Sequence, residues 1–496
     1  MSETKPNPFA RLLQFCESGE AVDVFLSQDE EVFGTIRTGG MSQTMLLSSA
    51  PFSQTLRYEF TKATGLHVSG SAVRDVIEHM TGAALSERYR QRVFLRIGEN
   101  ADNLYIDLGD ERGKIVEVTD AGWRLKHDAP IRFYRPHGMK PLPEPMVTNE
   151  KLEDLIAPFA STRNRNDRIM LLSWLIGAFK AEGPYPVLVV QSEQGTGKSS
   201  LCDLLRSLVD PNKALSRGQP KNQDELVIAA KNSRVVALDN LSAIPDWMSD
   251  CMCRIASGGG VGKRQLYSDT AEVLYSIQRP QVINCIDDLL TRGDLLSRTI
   301  IVDLAPITAA NRQTSEGYWS SFREAWPKIF GAILNVIVET KRNFPTATIG
   351  SGSRLGDWCK WMNAAERGLG WEEGTFNRAY AANQERTRVA AMDAQPIATE
   401  IVHLLKRVRK WEGTAKALLD QLNIGADWSV RKLSTWPGSA QSLSGALKRL
   451  TTDLRGAGID VVTGERLKNA NRDRWIRMSM VDETGSKPEK EPFMLN

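Results

Sequence analysis

The stretch Pro186-Val-Leu-Val-Val-Gln-Ser-Glu-Gln-Gly-Thr-Gly-Lys-Ser-Ser200 decides the fold. Val187 to Val190 is a short apolar, β-branched run of the kind that forms a buried strand. A polar turn follows at once, then Lys198-Ser199-Ser200 and an apolar series at helical spacing: Leu201, Leu204, Leu205 and Leu208. Strand, turn and helix in that order are what a phosphate-cradling loop needs. The N–H groups of the turn converge on an anion, and the positive end of the helix macrodipole adds to the attraction. On this reading Gln194, Gly195, Thr196, Gly197, Lys198, Ser199 and Ser200 hold the phosphates. Gly195 and Gly197 are expected where a Cβ would collide with phosphate oxygens. Lys198 reaches the β- and γ-phosphates, and the Ser199 hydroxyl sits on Mg²⁺. The full pattern opens with glycine six residues before the lysine; this chain has Ser192, which is small and turn-compatible. The alternative is a glycine-rich turn joining two core elements.

A second strand-like run, Arg234-Val-Val-Ala-Leu-Asp239-Asn240, ends in an acid. A carboxylate at the C-terminal end of a parallel strand faces the crevice where such sheets bind ligands, and there Asp239 would hold Mg²⁺ through water. The run resembles a Walker B motif, after whose aspartate many related ATPases place a glutamate to activate the attacking water; Asn240 orients water but cannot take its proton. The candidates for a base are then Asp239 itself, Glu193, Asp224 and Glu225. A third strand, Gln281-Val-Ile-Asn284, ends in an amide, and Asp294-Leu-Leu-Ser-Arg298 precedes a fourth, Thr299-Ile-Ile-Val-Asp303. Between the second and third lies Ser257-Gly-Gly-Gly-Val-Gly-Lys-Arg-Gln-Leu-Tyr-Ser-Asp-Thr270, glycine-rich and then basic, followed by the strand-like Val273-Leu-Tyr-Ser-Ile277.

These runs over residues 185–304, with Leu238-Asp-Asn-Leu-Ser242, Arg264-Gln-Leu-Tyr267 and Arg279-Pro-Gln-Val-Ile-Asn284, resemble the superfamily-three (poxvirus primase-helicase-like) AAA+ helicases of phages and mobile genetic elements. The resemblance implies an α/β fold: an AAA+ P-loop three-layer core, preceded by an α+β N-terminal domain and followed by a helical lid and a C-terminal winged-helix domain. It implies ATP and Mg²⁺ as cofactors, with Lys198 and Ser199 in Walker A and Asp239 in Walker B. Asn284 then resembles the sensor-1 asparagine. Arg298 resembles the arginine finger that completes a neighbour's ATP site, with Arg292 as the other candidate; the competing role for Arg298 is a cation at a helix C-terminus. Residues 257–277 resemble the hairpin that such helicases point into a ring channel, with Lys263 and Arg264 gripping the DNA backbone and Tyr267 stacking. The competing reading is a solvated surface hairpin. A finger supplied in trans implies a homo-oligomeric ring, a hexamer, around single-stranded DNA, with other replication proteins as further partners.

At 496 residues with 41% apolar and 25% charged residues, the chain has room for two to four ordinary globular domains. No apolar run approaches a membrane span, and no secretory pattern opens the sequence, so a cytoplasmic protein is expected. The six cysteines form no CxxC pair, which argues for a reduced compartment and against structural zinc. The net charge is +3, yet residues 401–477 carry fifteen Lys and Arg against seven Asp and Glu, so the remainder is mildly acidic. A basic end with no large apolar face points to a polyanion rather than a membrane.

In order, residues 1–136 read as an α+β N-terminal domain whose strands around 92–97, 103–108, 114–119 and 122–125 form an antiparallel meander. Asp107 and Asp110 there read as turn residues rather than a metal site. Residues 137–150 are a proline-rich linker, 151–310 the ATPase core, and 311–392 a helical lid anchored by Trp319, Trp326, Trp358, Trp361 and Trp371. Arg367 and Arg378 are weak candidates for a second sensor. Residues 393–480 suggest three helices and a hairpin, resembling a winged helix. Ser442, Ser444, Lys448 and Arg449 would lie on its recognition helix, and Arg466, Lys468, Arg472 and Arg474 about its wing. The alternative is a winged helix that binds protein or stabilises a ring. Residues 481–496 have the composition of a disordered tail.

The expected function is a DNA helicase or translocase driven by ATP in the replication of a phage or mobile element. One competing class is a nucleotide-switched DNA-binding loader or scaffold that does not unwind, which Asn240 favours. Another is a P-loop enzyme acting on a small molecule, which the basic C-terminal region disfavours.

Overall fold

Val187, Leu188, Val189 and Val190 are completely buried, each worth roughly 1.5–3 kcal/mol of transfer free energy, and they form the strand β1 (Val187–Gln191). The helix before it, α1 (Arg165–Gly177), is buried along nine successive residues, Ile169 to Gly177, rather than along one stripe. That explains why its sequence reads as a near-continuous apolar run. After β1 come α2 (Lys198–Val209), α3 (Gln223–Lys231), β2 (Val236–Leu241) and α4 (Asp246–Ser257). The hairpin β3 (Gly259–Arg264) and β4 (Glu272–Ile277) precedes β5 (Gln281–Cys285), the short helix α5 (Gly293–Leu296) and β6 (Thr299–Asp303). In this computed structural model the described residues are 7–18, 21–38, 41–101, 103–264, 272–285, 293–308, 312–350, 354–393, 395–433, 435–466 and 474–481.

The four core strands lie in the order β2-β5-β1-β6. β5 runs parallel to β1, with Val190 opposite Asn284, and parallel to β2, with Leu238 opposite Ile283. The fold is therefore a mixed α/β arrangement with a parallel sheet, and the chain skips one strand position between β1 and β2. The crevice created at such a switch point opens beyond the C-terminal ends of the strands. The β2–β5 register shifts between Leu238 and Leu241, so Asp239 and Asn240 bulge out of the ladder.

By compactness the chain divides into two units, 1–286 with 301–380, and 287–300 with 381–496. In the first, a helix (Pro8–Glu17), a three-stranded antiparallel sheet (Val22–Leu26, Val32–Thr38, Met41–Leu46) and two helices (Ala50–Thr64, Gly70–Glu87) enclose one core. A four-stranded antiparallel sheet (Ile97–Asn100, Asn103–Asp107, Ile115–Val118, Trp123–Lys126) follows. The expected strand at 92–97 is broken. Val93–Phe94 pairs with Arg132–Phe133, Ile97 onward pairs with Asn103–Asp107, and Arg96 between them is left-handed (φ 62°). Its guanidinium, wholly buried, donates to the carbonyls of Asp107, Leu108 and Lys140 and reaches Asp210 at the end of α2. Asp107 pairs with Arg135 at 2.6 Å, and Asp110 accepts the Lys114 N–H, so both are engaged in holding this turn region.

The proline-rich segment is strapped to the long helix α6 (Ser315–Asn343): the Met146 N–H donates to the Pro327 carbonyl at 2.8 Å and the Asn335 amide to Thr148 at 2.8 Å. A Cβ on Gly331 would lie 1.8 Å from the Met146 carbonyl oxygen, so only glycine allows this approach. The helical region expected at 355–380 is two helices, α7 (Gly356–Ala365) and α8 (Thr375–Asp393), the latter running on into the second unit. Trp358 and Trp361 pack down on α1, with Trp361 donating to the Ile176 carbonyl at 3.3 Å.

In the second unit, α9 (Pro396–Val408), β7 (Lys410–Thr414), α10 (Ala415–Gly425), the one-turn α11 (Trp428–Arg431), α12 (Ala440–Gly456), β8 (Ile459–Arg466) and β9 (Arg474–Met480) follow in turn. The sheet order is β7-β9-β8, all antiparallel. β7 adds a strand to the expected hairpin; Lys410-Trp-Glu-Gly-Thr has too few apolar residues to signal one. One core joins these elements through Leu404, Leu418, Leu443, Leu447, Ile476 and Met478 among others.

Candidate nucleotide site

The turn after β1 takes its shape from two left-handed glycines, Gly195 (φ 83°) and Gly197 (φ 84°). A Cβ at Gly195 would meet nothing within 4 Å, and one at Gly197 only Ile307 at 3.5 Å. Glycine is therefore required here by the backbone conformation and not by crowding within the chain. Gly197 is the N-cap of α2 and supplies no side-chain cap, so the first N–H groups of the helix are presented for an anion. The Ser192 hydroxyl donates to the Leu304 carbonyl at 3.2 Å, tying the start of the loop to the segment after β6. Thr196 is buried and donates to the Glu193 carbonyl at 2.9 Å. Lys198 Nζ donates to the carbonyls of Ser192 and Glu193 at 2.5 and 2.9 Å, and Gln194 is exposed.

Three elements converge at the foot of this loop. Ser199 Oγ, in the first turn of α2, donates to Asp239 Oδ1 at 2.8 Å. Asn284, at the end of β5, donates from its amide to the same carboxylate oxygen, and its own Oδ1 accepts the Asn240 N–H at 2.6 Å. The bulge in β2 makes this possible by turning Asn240 left-handed (φ 54°), a conformation that asparagine adopts more readily than most residues. A serine hydroxyl and a carboxylate oxygen side by side form the hard oxygen pair that suits Mg²⁺.

Asp203, one helical turn beyond Ser199, belongs to no motif and is missed by sequence reasoning. Burial pushes its carboxyl up; the charge of Asp239 adds to this, against a lowering bond from Ser216, and its Oδ1 has no hydrogen-bond partner. The available signal is the spacing of four from Ser199, which places both on one helix face. Of the other candidate carboxylates, Glu225 accepts the Lys221 N–H at 2.9 Å in a capping arrangement, while Glu193 and Asp224 are exposed.

Beside the loop is a cavity of about 640 Å³, bounded by Thr196, Gly197 and Ser200 on one side and Phe159, Tyr318 and Trp319 on the other. The Tyr318 hydroxyl donates to the Phe159 carbonyl at 3.1 Å, and the rings of Phe159 and Tyr318 meet edge to face at 5.7 Å. The cavity thus sets an aromatic wall beside the glycine loop. Local sequence carries no sign of it, because its walls come from three separate segments, within 157–161, 196–201 and 304–319.

Arg298 belongs to the second unit, where it pairs with Asp294 at 2.7 Å. Lys263 and Arg264 are the last paired residues of β3, opposite Val273 and Glu272 at the turn end of the hairpin. Their side chains, like those of Arg466 and Arg474, lie outside the described residues, as do Tyr267, Arg292, Lys468, Arg472 and the tail from 482. Lys448 and Arg449 are exposed on α12, whose opposite side buries Leu443, Leu447 and Leu450. Ser442 is exposed, and the Ser444 hydroxyl bonds back to the Ala440 carbonyl at 2.9 Å. Among the described residues there is no cluster of three or more His, Cys, Asp or Glu arranged to hold a metal, and no helix long and apolar enough to cross a membrane.

Residues 153–376 match the model of the Actinomycete integrative conjugative element replication protein family (AICE RepA). Residues 397–490 match the model of the AICE RepA C-terminal domain. Among solved structures, one described as "SCCmec type IV Cch - active helicase" is 12% identical, with 93% of each chain covered and a TM-score of 0.49. The apo C-terminal region of NrS-1 is also 12% identical, with 96% of this chain and 100% of that chain covered and a TM-score of 0.39. No curated protein matches the chain.

Proposed function

We propose that this chain is an ATP-hydrolysing AAA+ motor that moves DNA during replication of an integrative mobile element, acting as a hexameric ring. The observation that carries the reading is the meeting of Ser199, Asp239 and Asn284 beneath the glycine loop. In this reading the N–H groups of the loop and Lys198 bind the β- and γ-phosphates, and the base lies against Phe159 and Tyr318 under a helical lid built on α6 and α7. Ser199 and Asp239 are the residues that would hold Mg²⁺, which when bound neutralises the phosphate charge. Asn284 orients the carboxylate of Asp239 and positions water, and Arg298 enters the site of a neighbouring subunit. Lys263 and Arg264, near the tip of the hairpin, grip a single strand. The order of the second unit, helix, strand, three helices and then two strands, supports a winged helix, with Lys448 and Arg449 on its DNA-facing helix. The match of residues 153–376 to a replication-protein family supports the biological setting, and a cytoplasmic location accords with it.

One observation favours a second reading, a nucleotide-switched loader that binds DNA without unwinding it: Asn240 stands where a glutamate would take the proton of the attacking water.

The test is ATP hydrolysis by the full chain with and without single-stranded DNA, together with strand displacement. Lys198→Ala should abolish both, and Lys263→Ala with Arg264→Ala should abolish displacement while sparing basal hydrolysis. ATPase activity that ignores DNA would falsify the motor reading. DNA-stimulated hydrolysis without displacement by the unmutated chain would select the loader.

A further inference from the structure

Twelve tryptophans are spread along the chain, and Trp428 alone is exposed: 65% of its surface faces solvent, whereas the other eleven are buried or half-buried. It stands on α11, the single turn between α10 and α12. That turn is fixed from beneath by Val430, which packs on the core of the second unit, and by the buried Trp436, whose indole N–H donates to Asn423 at 3.0 Å. The exposure of Trp428 is thus set by an anchored backbone. The Lys432 ammonium lies 3.8 Å from the centroid of the ring, and Arg431 is exposed beside it. Ile424 (81% exposed) and Leu433 (48%) extend the patch at either end of the segment.

An indole held out into solvent, with a cation on its face and another cation adjacent, has the chemistry of a base-stacking site. Every base offers a π-face to the ring, and the two cations sit where the phosphates on either side would pass. The charge agrees with a polyanion, since Arg431 and Lys432 outnumber Asp427 in a region with a surplus of eight positive charges. A protein partner would also use the tryptophan, but it would not call for this charge. We infer that Trp428, with Arg431 and Lys432, is a stacking platform for single-stranded DNA, separate from Lys448 and Arg449. The inference rests on the reading of the chain as a DNA-binding motor and adds a second contact point to it.

The experiment measures binding of the full chain to a fluorescein-labelled oligo-dT strand and to a labelled duplex of the same length, by anisotropy at one fixed salt concentration. Trp428→Ala should weaken single-strand binding by roughly tenfold, the factor that corresponds to losing one stacked base, and leave duplex binding unaltered. Trp428→Phe should restore most of that affinity, yet show less DNA-induced quenching of tryptophan fluorescence than the unmutated chain. DNA-free ATP hydrolysis and circular dichroism verify that both variants fold. Equal single-strand affinity for Trp428→Ala and the unmutated chain overturns the inference, as does an equal loss on strand and duplex. Loss of self-association with DNA affinity intact also overturns it and makes the patch an interface between copies. If the unmutated chain binds neither strand nor duplex, the proposed function itself fails, an outcome distinct from all the others.

Discussion

Asn284 holds Asp239 and Asn240 at once: its amide N–H donates to the Asp239 carboxylate while its carbonyl oxygen accepts the Asn240 N–H at 2.6 Å. The pairing fixes the direction of the carboxylate and the shape of the bulge that carries it. Asn284→Asp keeps the acceptor for Asn240 but sets a second carboxylate against the first, which disfavours ionisation of both. We expect ATP turnover to fall by at least about tenfold with nucleotide affinity little changed, the pattern of an interaction that matters in the transition state. Steady-state hydrolysis alongside equilibrium nucleotide binding checks it.

Asn240 has φ 54°, and the left-handed region costs an ordinary side chain roughly 1–2 kcal/mol. Asn240→Glu should therefore lower unfolding stability by about 1 kcal/mol and leave hydrolysis no faster, whereas Asn240→Gly should keep the stability. Denaturant unfolding compared with ATPase rates decides. Faster hydrolysis by the Asn240→Glu variant would mean that the bulge already admits a glutamate in working geometry.

How much of this was legible in sequence differs from place to place. Val187–Val190 is apolar and mostly β-branched, and Asp239 and Asn284 end apolar runs, so the strands and the sheet class follow from local pattern. The β2 bulge did not, because it depends on cross-strand register and not on the residues within one run. Nor did the break at Arg96, where a fully buried guanidinium overrides the strand pattern around it. The wall of Phe159 and Tyr318 is assembled from distant segments, and tryptophans such as Trp358 and Trp361 look alike in sequence whether they line a cleft or fill a core.

Gly331 faces the backbone of the strapped segment, and an added Cβ would lie 1.8 Å from the Met146 carbonyl oxygen. Because the obstacle is backbone, relief requires lifting the strap or shifting α6. Gly331→Ala should cost about 1–3 kcal/mol and increase proteolytic nicking near Met146. Chemical unfolding and limited proteolysis read the two effects.

Asp210 is buried between Arg206 at 3.1 Å and Arg96 at 3.4 Å and accepts the N–H groups of Arg234 and Val235. Burial pushes its carboxyl up, but the two guanidiniums and the N–H donors outweigh this and hold it below the ordinary aspartate value of 3.8. A lowered folded-state pKa contributes stability above the unfolded-state value, lost as pH falls through the folded one. Asp210→Asn should destabilise by about 3–5 kcal/mol at neutral pH, since it strands two buried cations. It should also flatten the acid limb of the stability curve below about pH 4. Urea unfolding measured from neutral pH down through the acid limb tests both.

The same Arg96–Asp210 knot ties the front of the chain to the helix behind the glycine loop. Arg96 comes from the amino-terminal third and closes over the far end of α2, the helix whose opposite end carries Lys198 and Ser199. A fragment trimmed to begin at residue 151 would retain the glycine loop yet leave Asp210 short of one of its two guanidiniums and the Pro211 carbonyl without its Arg96 donor. Such a truncation should be poorly soluble and melt early, so dissection of this protein must cut elsewhere.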